Sequence, residues 1–149
     1  MTSLHLQFTS NPTDISWHKA LERQLTALAQ AAGLDALSST GLQFALVEAV
    51  NNIMEHAYAN ERRRPIDVSG RQDPRRLTFV LRDRGIPMPL PLPDGSPADP
   101  MAESGRGWQI IRAAFPGVCY ERIDGENVLT LTRPLIGSGA TPGAESNTT

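Results

Sequence analysis

From residue 17 onward, apolar positions in this chain recur first at helical spacing, then at a spacing of two, and then in the same order again. Residues 4–8 alternate, as an edge strand would. After the helix-start cluster Asn11-Pro-Thr-Asp14, Trp17, Leu21, Leu28 and Ala32, with Ala20 and Leu25 beside them, predict a first helix that stops at Gly33. Ser38-Ser-Thr40 offers an N-cap for a second helix. Its apolar stripe, Leu42, Leu46, Val50, Ile53 and Ala57, leaves Glu48, Asn52, Glu55 and His56 on the opposite side. The period then falls to two, and residues 66–70 and 77–82 read as strands joined through 71–76. Residues 107–115 predict a third helix with Trp108, Ile111 and Phe115 on one face, ended by Pro116-Gly117. Residues 118–123 and 127–132 read as strands. Asp124-Gly125 between them signals a tight hairpin turn, whose two central positions favour positive φ.

Residues 86–104 break this rhythm. Pro87, Pro89, Pro91, Pro93, Pro97 and Pro100 fall here with Gly95 among them, which forbids a regular helix or central strand. A stretch this long without structure is either a surface insertion or a lid or binding loop. Residues 136–149 are rich in Gly, Ser, Thr, Ala and Pro and are expected to be a disordered tail. The expectation is therefore one domain over 1–135 followed by that tail.

Composition narrows the function classes. A hydrophobic share of 40% and a charged share of 20% fit a soluble globular domain. A net charge of -2 supplies no general attraction to nucleic acid or an anionic membrane, so neither is expected as a partner. The sequence shows no signal-peptide pattern and no apolar run long enough to span a bilayer, which makes the cytoplasm the expected location. Cys119 is the single cysteine. It cannot form an internal disulfide or a multi-cysteine zinc site, and in a strand with no base nearby it reads as a small core residue. The arginines at 62–64 and at 75–76 read as solvated loop charges, and His56 as a residue packing beside Tyr58.

Three polar motifs carry candidate chemistry. Glu48 and Asn52 are one turn apart and so share a helix face. An amide oxygen there suits Mg²⁺, which takes few protein ligands alongside phosphates and water. A carboxylate one turn away can take a proton from an attacking hydroxyl. By themselves the two read more readily as a solvated polar face. Asp83 ends an apolar strand and is followed by Arg84-Gly85. A carboxylate there can accept from an exocyclic amine such as adenine presents, and Gly85 would let a flat ring approach the backbone. A conformational Asp-X-Gly turn is the alternative. Gly105-Arg106-Gly107 opens the third helix, where free N–H groups bind phosphate and Arg106 can add a charged donor. The alternative is a hinge before a helix.

Taken together and in this order, the motifs resemble the GHKL ATPases, and among them the small serine kinases that act as anti-sigma factors, the RsbW and SpoIIAB type. Glu48-Ala-Val-Asn-Asn52 followed by His56-Ala-Tyr58 is similar to that family's N box. Asp83-Arg-Gly85-Ile-Pro87 is similar to its first glycine box, and Gly105-Arg106-Gly107-Trp108 to its second. The resemblance covers roughly residues 4–135. It implies an α+β fold, a two-layer sandwich of the Bergerat type with a mixed, mostly antiparallel sheet covered by helices on one face. It implies ATP and Mg²⁺ as cofactors, Glu48 as general base, Asn52 as the metal ligand and Asp83 as the acceptor for the adenine amino group. Gly85 would shape the adenine pocket, Gly105, Arg106, Gly107 and Trp108 would lie along the nucleotide, and residues 87–104 would form the lid.

The implied activity is that of a protein serine/threonine kinase in a partner-switching module. Such a protein holds a sigma factor, or another regulated target, inactive. It alternatively binds and phosphorylates a STAS-domain anti-anti-sigma protein, and it commonly forms a homodimer. Pro87 stands where the wider superfamily often has a second glycine. The lid carries Asp94, Asp99 and Glu103 but no lysine or arginine, which leaves phosphate neutralisation to Arg106 and Mg²⁺. Two other readings compete. One is a nucleotide-dependent interaction module with little kinase activity, against which Glu48 argues. The other is the catalytic part of a histidine kinase, which needs a helical hairpin with an acceptor histidine. His18 is the sole histidine in the single helix expected before the N box.

Overall fold

A computed structural model of the chain describes residues 2–96 and 106–135. Strand β1 spans Ser3–Thr9, and helices α1 and α2 span Ser16–Ala31 and Ala36–Asn52. Strands β2 (Pro65–Gln72) and β3 (Arg76–Asp83) follow, then helix α3 (Arg106–Ala114) and strands β4 (Gly117–Ile123) and β5 (Glu126–Pro134). The five strands form one sheet in the order β1-β2-β3-β5-β4. The resemblance implied a mixed, mostly antiparallel sheet, whereas all four pairings among the described residues are antiparallel.

The helices cover one face of the sheet. Alternation along each strand sends Leu4, Leu6, Ile66, Val68, Leu77, Phe79, Leu81, Leu129 and Leu131 to that face, where they are buried against Leu21, Leu25, Leu28, Leu42 and Leu46. Trp17 stacks on Phe8 at 5.3 Å between ring centroids, tying α1 to the edge strand β1. The expected stripe on α2 is buried throughout, from Leu42 to Ala57.

Asp124 and Gly125 have φ of 52° and 79°, so the β4–β5 hairpin turn has the two positive φ values that its sequence predicts. No helix among the described residues is long and apolar enough to cross a membrane.

Two local expectations need correction. The second helix is capped by Asp35, whose carboxylate accepts from the Ser38 N–H at 2.7 Å. Ser38 to Thr40 already lie inside the helix. Asp35 wins because an anionic cap also answers the helix dipole. Cys119 is exposed rather than buried. Its neighbours Val118 and Tyr120 pack against the core, so alternation turns Cys119 to the open face. The tail at 136–149 and residues 97–105 of the lid segment, including Asp99, Glu103 and Gly105, lie outside the described residues.

Candidate functional site

The site forms where one row of the sheet meets the end of α2. Register pairs Phe8 with Ile66, Ile66 with Asp83, Asp83 with Asn127 and Asn127 with Arg122, so the row crosses all five strands. In most rows this face is apolar. Here it presents Asp83 and Asn127, both buried.

A buried carboxylate needs donors. The Gly85 N–H donates to Asp83 Oδ1 at 2.9 Å and Asn127 Nδ2 donates to the same oxygen at 2.8 Å. Burial is the largest influence on Asp83 and pushes its pKa above 3.8, opposed by these two hydrogen bonds and by the Arg122 guanidinium.

Helix α2 runs directly into a π-helical turn, Ile53–Ala57, in which the Tyr58 N–H reaches the Ile53 carbonyl at 3.0 Å. Such turns are frequent at functional sites. The turn ends on Tyr58, which is fully buried. The Tyr58 hydroxyl donates to the Pro65 carbonyl and accepts from the Arg84 N–H at 2.8 Å. Arg64 lies over the Tyr58 ring at 4.7 Å and bonds the Arg84 carbonyl, so it is not merely a solvated loop charge. The end of the helix is thereby fastened to the loop that carries Asp83 and Gly85.

Gly85 is required by close approach. A Cβ there would lie 2.3 Å from the Ala57 carbonyl oxygen, which already accepts from the Ile86 N–H at 2.8 Å. The space beside Gly85 is thus taken by the end of the α2 turn, whereas the sequence reading assigned it to a ligand ring.

Two adjoining cavities lie between α2, the proline-rich segment and α3. The inner one, about 20 Å³, is bounded by Asp83, Asn52, Tyr120, Met88, Trp108 and Leu129 among others. That is space for about one water molecule. The outer one, about 830 Å³, is bounded by Glu48, Glu55, His56, Pro87 and Gly107 among others, and shares Asn52, Met88 and Trp108 with the inner one. The inner cavity is too small for a purine ring, so a base reaches Asp83 only if residues lining it, such as the shared Asn52, Met88 and Trp108, move. Met88 is held by its N–H, which donates to the Tyr120 hydroxyl at 2.8 Å. Trp108 has the Arg112 guanidinium 5.7 Å from its ring centre, and Arg112 also donates to the Pro93 carbonyl at 3.0 Å. Proline-rich segment, α3 and sheet are thus latched together by a handful of polar contacts.

Of the residues singled out in the sequence, Glu48, Asn52, Asp83, Gly107 and Trp108 converge on these two cavities. Gly85 stands behind them against Ala57. Arg106 begins α3. Gly107 packs on Glu48, whose Oε2 lies 2.8 Å from the point where a Cβ on Gly107 would stand. His56 is exposed and borders the outer cavity rather than packing beside Tyr58.

One amide atom of Asn52, placed as Nδ2, is buried with no hydrogen-bond partner. Rotating that amide by half a turn would present its oxygen instead. Among the described residues no three His, Cys, Asp or Glu side chains gather to hold a metal. The Asn52 amide oxygen, so turned, would be a hard donor of the kind that suits Mg²⁺ beside phosphates.

Sequence reasoning assigned no role to Tyr58, Tyr120, Arg122 or Asn127. Tyr58 meets Arg84, Tyr120 meets Met88 and Asn127 meets Asp83 across 26, 32 and 44 residues of sequence, and only the strand register brings Asn127 to Asp83.

Comparison with known proteins agrees with this geometry. Residues 11–133 match the family described as histidine kinase-like ATPase domain. The serine/threonine-protein kinase BtrW of Bordetella bronchiseptica is 31% identical over 102 residues, covering 63% of this chain and 72% of that protein. The RsbU and RsbW domains of Rv1364c from Mycobacterium tuberculosis superpose with a TM-score of 0.54 at 20% identity, over 87% of this chain and 32% of that one. The histidine kinase domain of the Erythrobacter litoralis EL346 blue-light activated histidine kinase gives 0.55 at 13% identity, over 79% of this chain and 60% of that one. The chain thus spans about a third of the first structure and 60% of the second. At these identities both structures establish the fold.

Proposed function

The chain belongs to the histidine kinase-like ATPase domain family, and we propose that it is an ATP-dependent protein serine/threonine kinase of the RsbW and BtrW type, acting as an anti-sigma factor in a partner-switching module. ATP binding follows from the family. The observation that carries the finer reading is the meeting of Glu48 with Gly107 at the start of α3, in a cleft whose inner end is Asp83.

Each residue has a chemical part in this reading. The carboxylate of Asp83 accepts from the exocyclic amine of the base. Gly107 and the first N–H groups of α3 lie along the phosphates, where a helix start favours anions. Asn52 holds Mg²⁺, which supplies positive charge to offset that of the phosphates. Glu48 takes the proton from the attacking hydroxyl of the acceptor protein, a role that needs it within hydrogen-bond reach of that hydroxyl. Gly105, Arg106 and the lid complete the phosphate end.

The acceptor is a serine or threonine of a STAS-domain antagonist. A phosphate placed in a packed interface disrupts it by charge and desolvation, so phosphorylation releases the antagonist and leaves the kinase free to hold its sigma factor or other target. A homodimer and a cytoplasmic location complete the proposal. The support for these partners is the likeness to BtrW, a serine/threonine-protein kinase, and the fold shared with an RsbW domain.

The test is phosphoryl transfer from ATP to a STAS-domain protein, with Glu48→Ala as the control. Loss of transfer with ATP binding intact supports the reading. Equal transfer by the variant removes Glu48 from its role. Binding of ATP by the wild type without any transfer would leave a nucleotide-dependent binding module.

A further inference from the structure

Asn127 is the most enclosed polar residue of the site, with no exposed surface, and every hydrogen-bonding atom of its side chain is engaged. Nδ2 donates to Asp83 Oδ1 at 2.8 Å and to the Gly85 carbonyl at 3.0 Å. Oδ1 accepts from the Arg122 guanidinium at 2.7 Å, and the same nitrogen of Arg122 donates to the Gly85 carbonyl at 3.1 Å. These partners dictate the amide's orientation. Turned over, the amide would set its oxygen against two acceptors and its NH₂ against a guanidinium, which has no acceptor.

The consequence falls on Asp83. Both donors that reach its carboxylate, Asn127 Nδ2 and the Gly85 N–H, bind Oδ1. Among the described residues none binds Oδ2, and Asp83 borders the inner cavity. We propose that Asn127, clamped by Arg122, is a positioning residue that holds Asp83 as a one-sided acceptor, so that the pocket selects a purine with an exocyclic amino group over one with an oxo group at that place. The proposal rests on the reading of Asp83 as the acceptor for the base.

The physical reason is a mismatch of like groups. An ionised carboxylate has only acceptors to offer. Opposite an amino group it gains a charge-assisted hydrogen bond. Opposite an oxo group two acceptors face each other, and the N1–H beside it can be met only by a carboxylate free to shift, which the Asn127 contact opposes. Rejection built on unpaired buried polar groups is far stronger than rejection by shape. A protonated Asp83 would lose this preference, because its O–H could donate to the oxo group. Burial pushes Asp83 towards that form, with Glu126 adding to the push, and Asn127, the Gly85 N–H and Arg122 oppose it. Asn127 therefore serves selectivity twice, by aiming the carboxylate and by favouring its charged form.

The test compares ATP with inosine triphosphate, which carries an oxo group in place of the amino group and a hydrogen on the neighbouring N1. Dissociation constants are measured by calorimetry at fixed Mg²⁺ for wild type, Asn127→Ala and Arg122→Met, with thermal melts to establish folding. The wild type is expected to prefer ATP by roughly a hundredfold or more. In Asn127→Ala that preference falls about tenfold, while the inosine nucleotide changes by less than about threefold. Arg122→Met shifts the preference in the same direction.

Parallel weakening of both nucleotides, or a preference unchanged in folded Asn127→Ala, overturns the proposal. If Asn127→Ala does not fold, Arg122→Met decides on the same ratio, and an unchanged ratio there overturns it. A wild type that binds both nucleotides equally removes Asp83 from base recognition, and with it this proposal.

Discussion

Glu48 Oε2 lies 2.8 Å from the point where a side chain on Gly107 would begin, across the contact between α2 and α3. No real Cβ sits that close to an oxygen, so Gly107→Ala must displace something. The atom in the way is the far end of a flexible side chain, so the protein yields there by moving the Glu48 carboxylate and not by unfolding. A misplacement of about 1 Å in a catalytic group costs on the order of a hundredfold in rate. Gly107→Ala is therefore expected to slow phosphoryl transfer by roughly ten- to a hundredfold while leaving the melting temperature within a few degrees of wild type. Single-turnover transfer beside a thermal melt separates the two effects. A variant with full activity would show that the position of Glu48 does not matter.

Gly85 meets a different obstacle. A Cβ there falls 2.3 Å from the Ala57 carbonyl oxygen and 2.6 Å from its carbon, both backbone atoms. Backbone at the end of a packed helix cannot swing aside, so Gly85→Ala is expected to cost about 1–3 kcal/mol in overpacking and to pull Asp83 out of place. Gly41 is the counterpart, since it lies within α2 and a Cβ there meets nothing within 4 Å. Gly41→Ala is expected to stabilise by about 1 kcal/mol, the ordinary penalty of glycine in a helix. Urea unfolding of both variants checks the pair, which should move in opposite directions.

Much of this architecture is legible in the sequence because burial imposes a period. The stripe from Leu42 to Ala57 places α2, and with it Glu48 and Asn52 on the other side. The Asp124-Gly125 turn fixes the last hairpin, since few residues other than glycine accept two consecutive positive φ values so readily. The start of α2 is harder to read for a physical reason. Its first turn contains Leu37, which is 83% exposed, so no apolar period marks the true beginning at Asp35. Cys119 can be placed correctly from alternation, because Val118 and Tyr120 on either side take the core face. Asn127 and Arg122 cannot, since their importance comes from the cross-strand row that pairs Asp83 with Asn127 and Asn127 with Arg122. The fit of Gly85 against Ala57 is likewise a property of the folded contact and not of the Asp-X-Gly string.

Tyr58 joins the end of α2 to the Asp83 loop through two hydrogen bonds of one hydroxyl, to the Pro65 carbonyl and from the Arg84 N–H. Tyr58→Phe keeps the ring and its contact with Arg64 but deprives both backbone groups of their partner. Buried groups left unpaired cost about 1–3 kcal/mol. The expected result is a loss of stability in that range and faster amide exchange at Arg84, with the rest of the sheet unchanged. Hydrogen exchange read residue by residue distinguishes this local loosening from general destabilisation. Unaltered protection at Arg84 would mean that the hydroxyl does not hold the loop.

Asp83→Asn changes charge without changing shape, and its effects on stability and on binding should have opposite signs. Burial raises the pKa of Asp83 above 3.8 in the folded protein. The native state then holds its proton more tightly than the unfolded chain, so the ionised carboxylate weighs against folding. That penalty is absent below the unfolded value and grows as pH rises through the folded one. Relative to wild type, the Asp83→Asn variant should therefore gain stability as pH rises from 3.8 through the raised folded value. The new amide's oxygen can still accept from the Gly85 N–H and Asn127. Its NH₂ then faces the cavity, a donor where the base amine needs an acceptor. A hydrogen bond to a charged group is worth about 1.5–3 kcal/mol, so ATP affinity is expected to fall roughly ten- to a hundredfold. In wild type the affinity should also decline as pH drops through the raised value, and the variant should lack that decline. Melting curves and calorimetry on both proteins across this pH range provide the check. Loss of ATP affinity together with loss of stability at neutral pH would mean that Asp83 chiefly supports the fold.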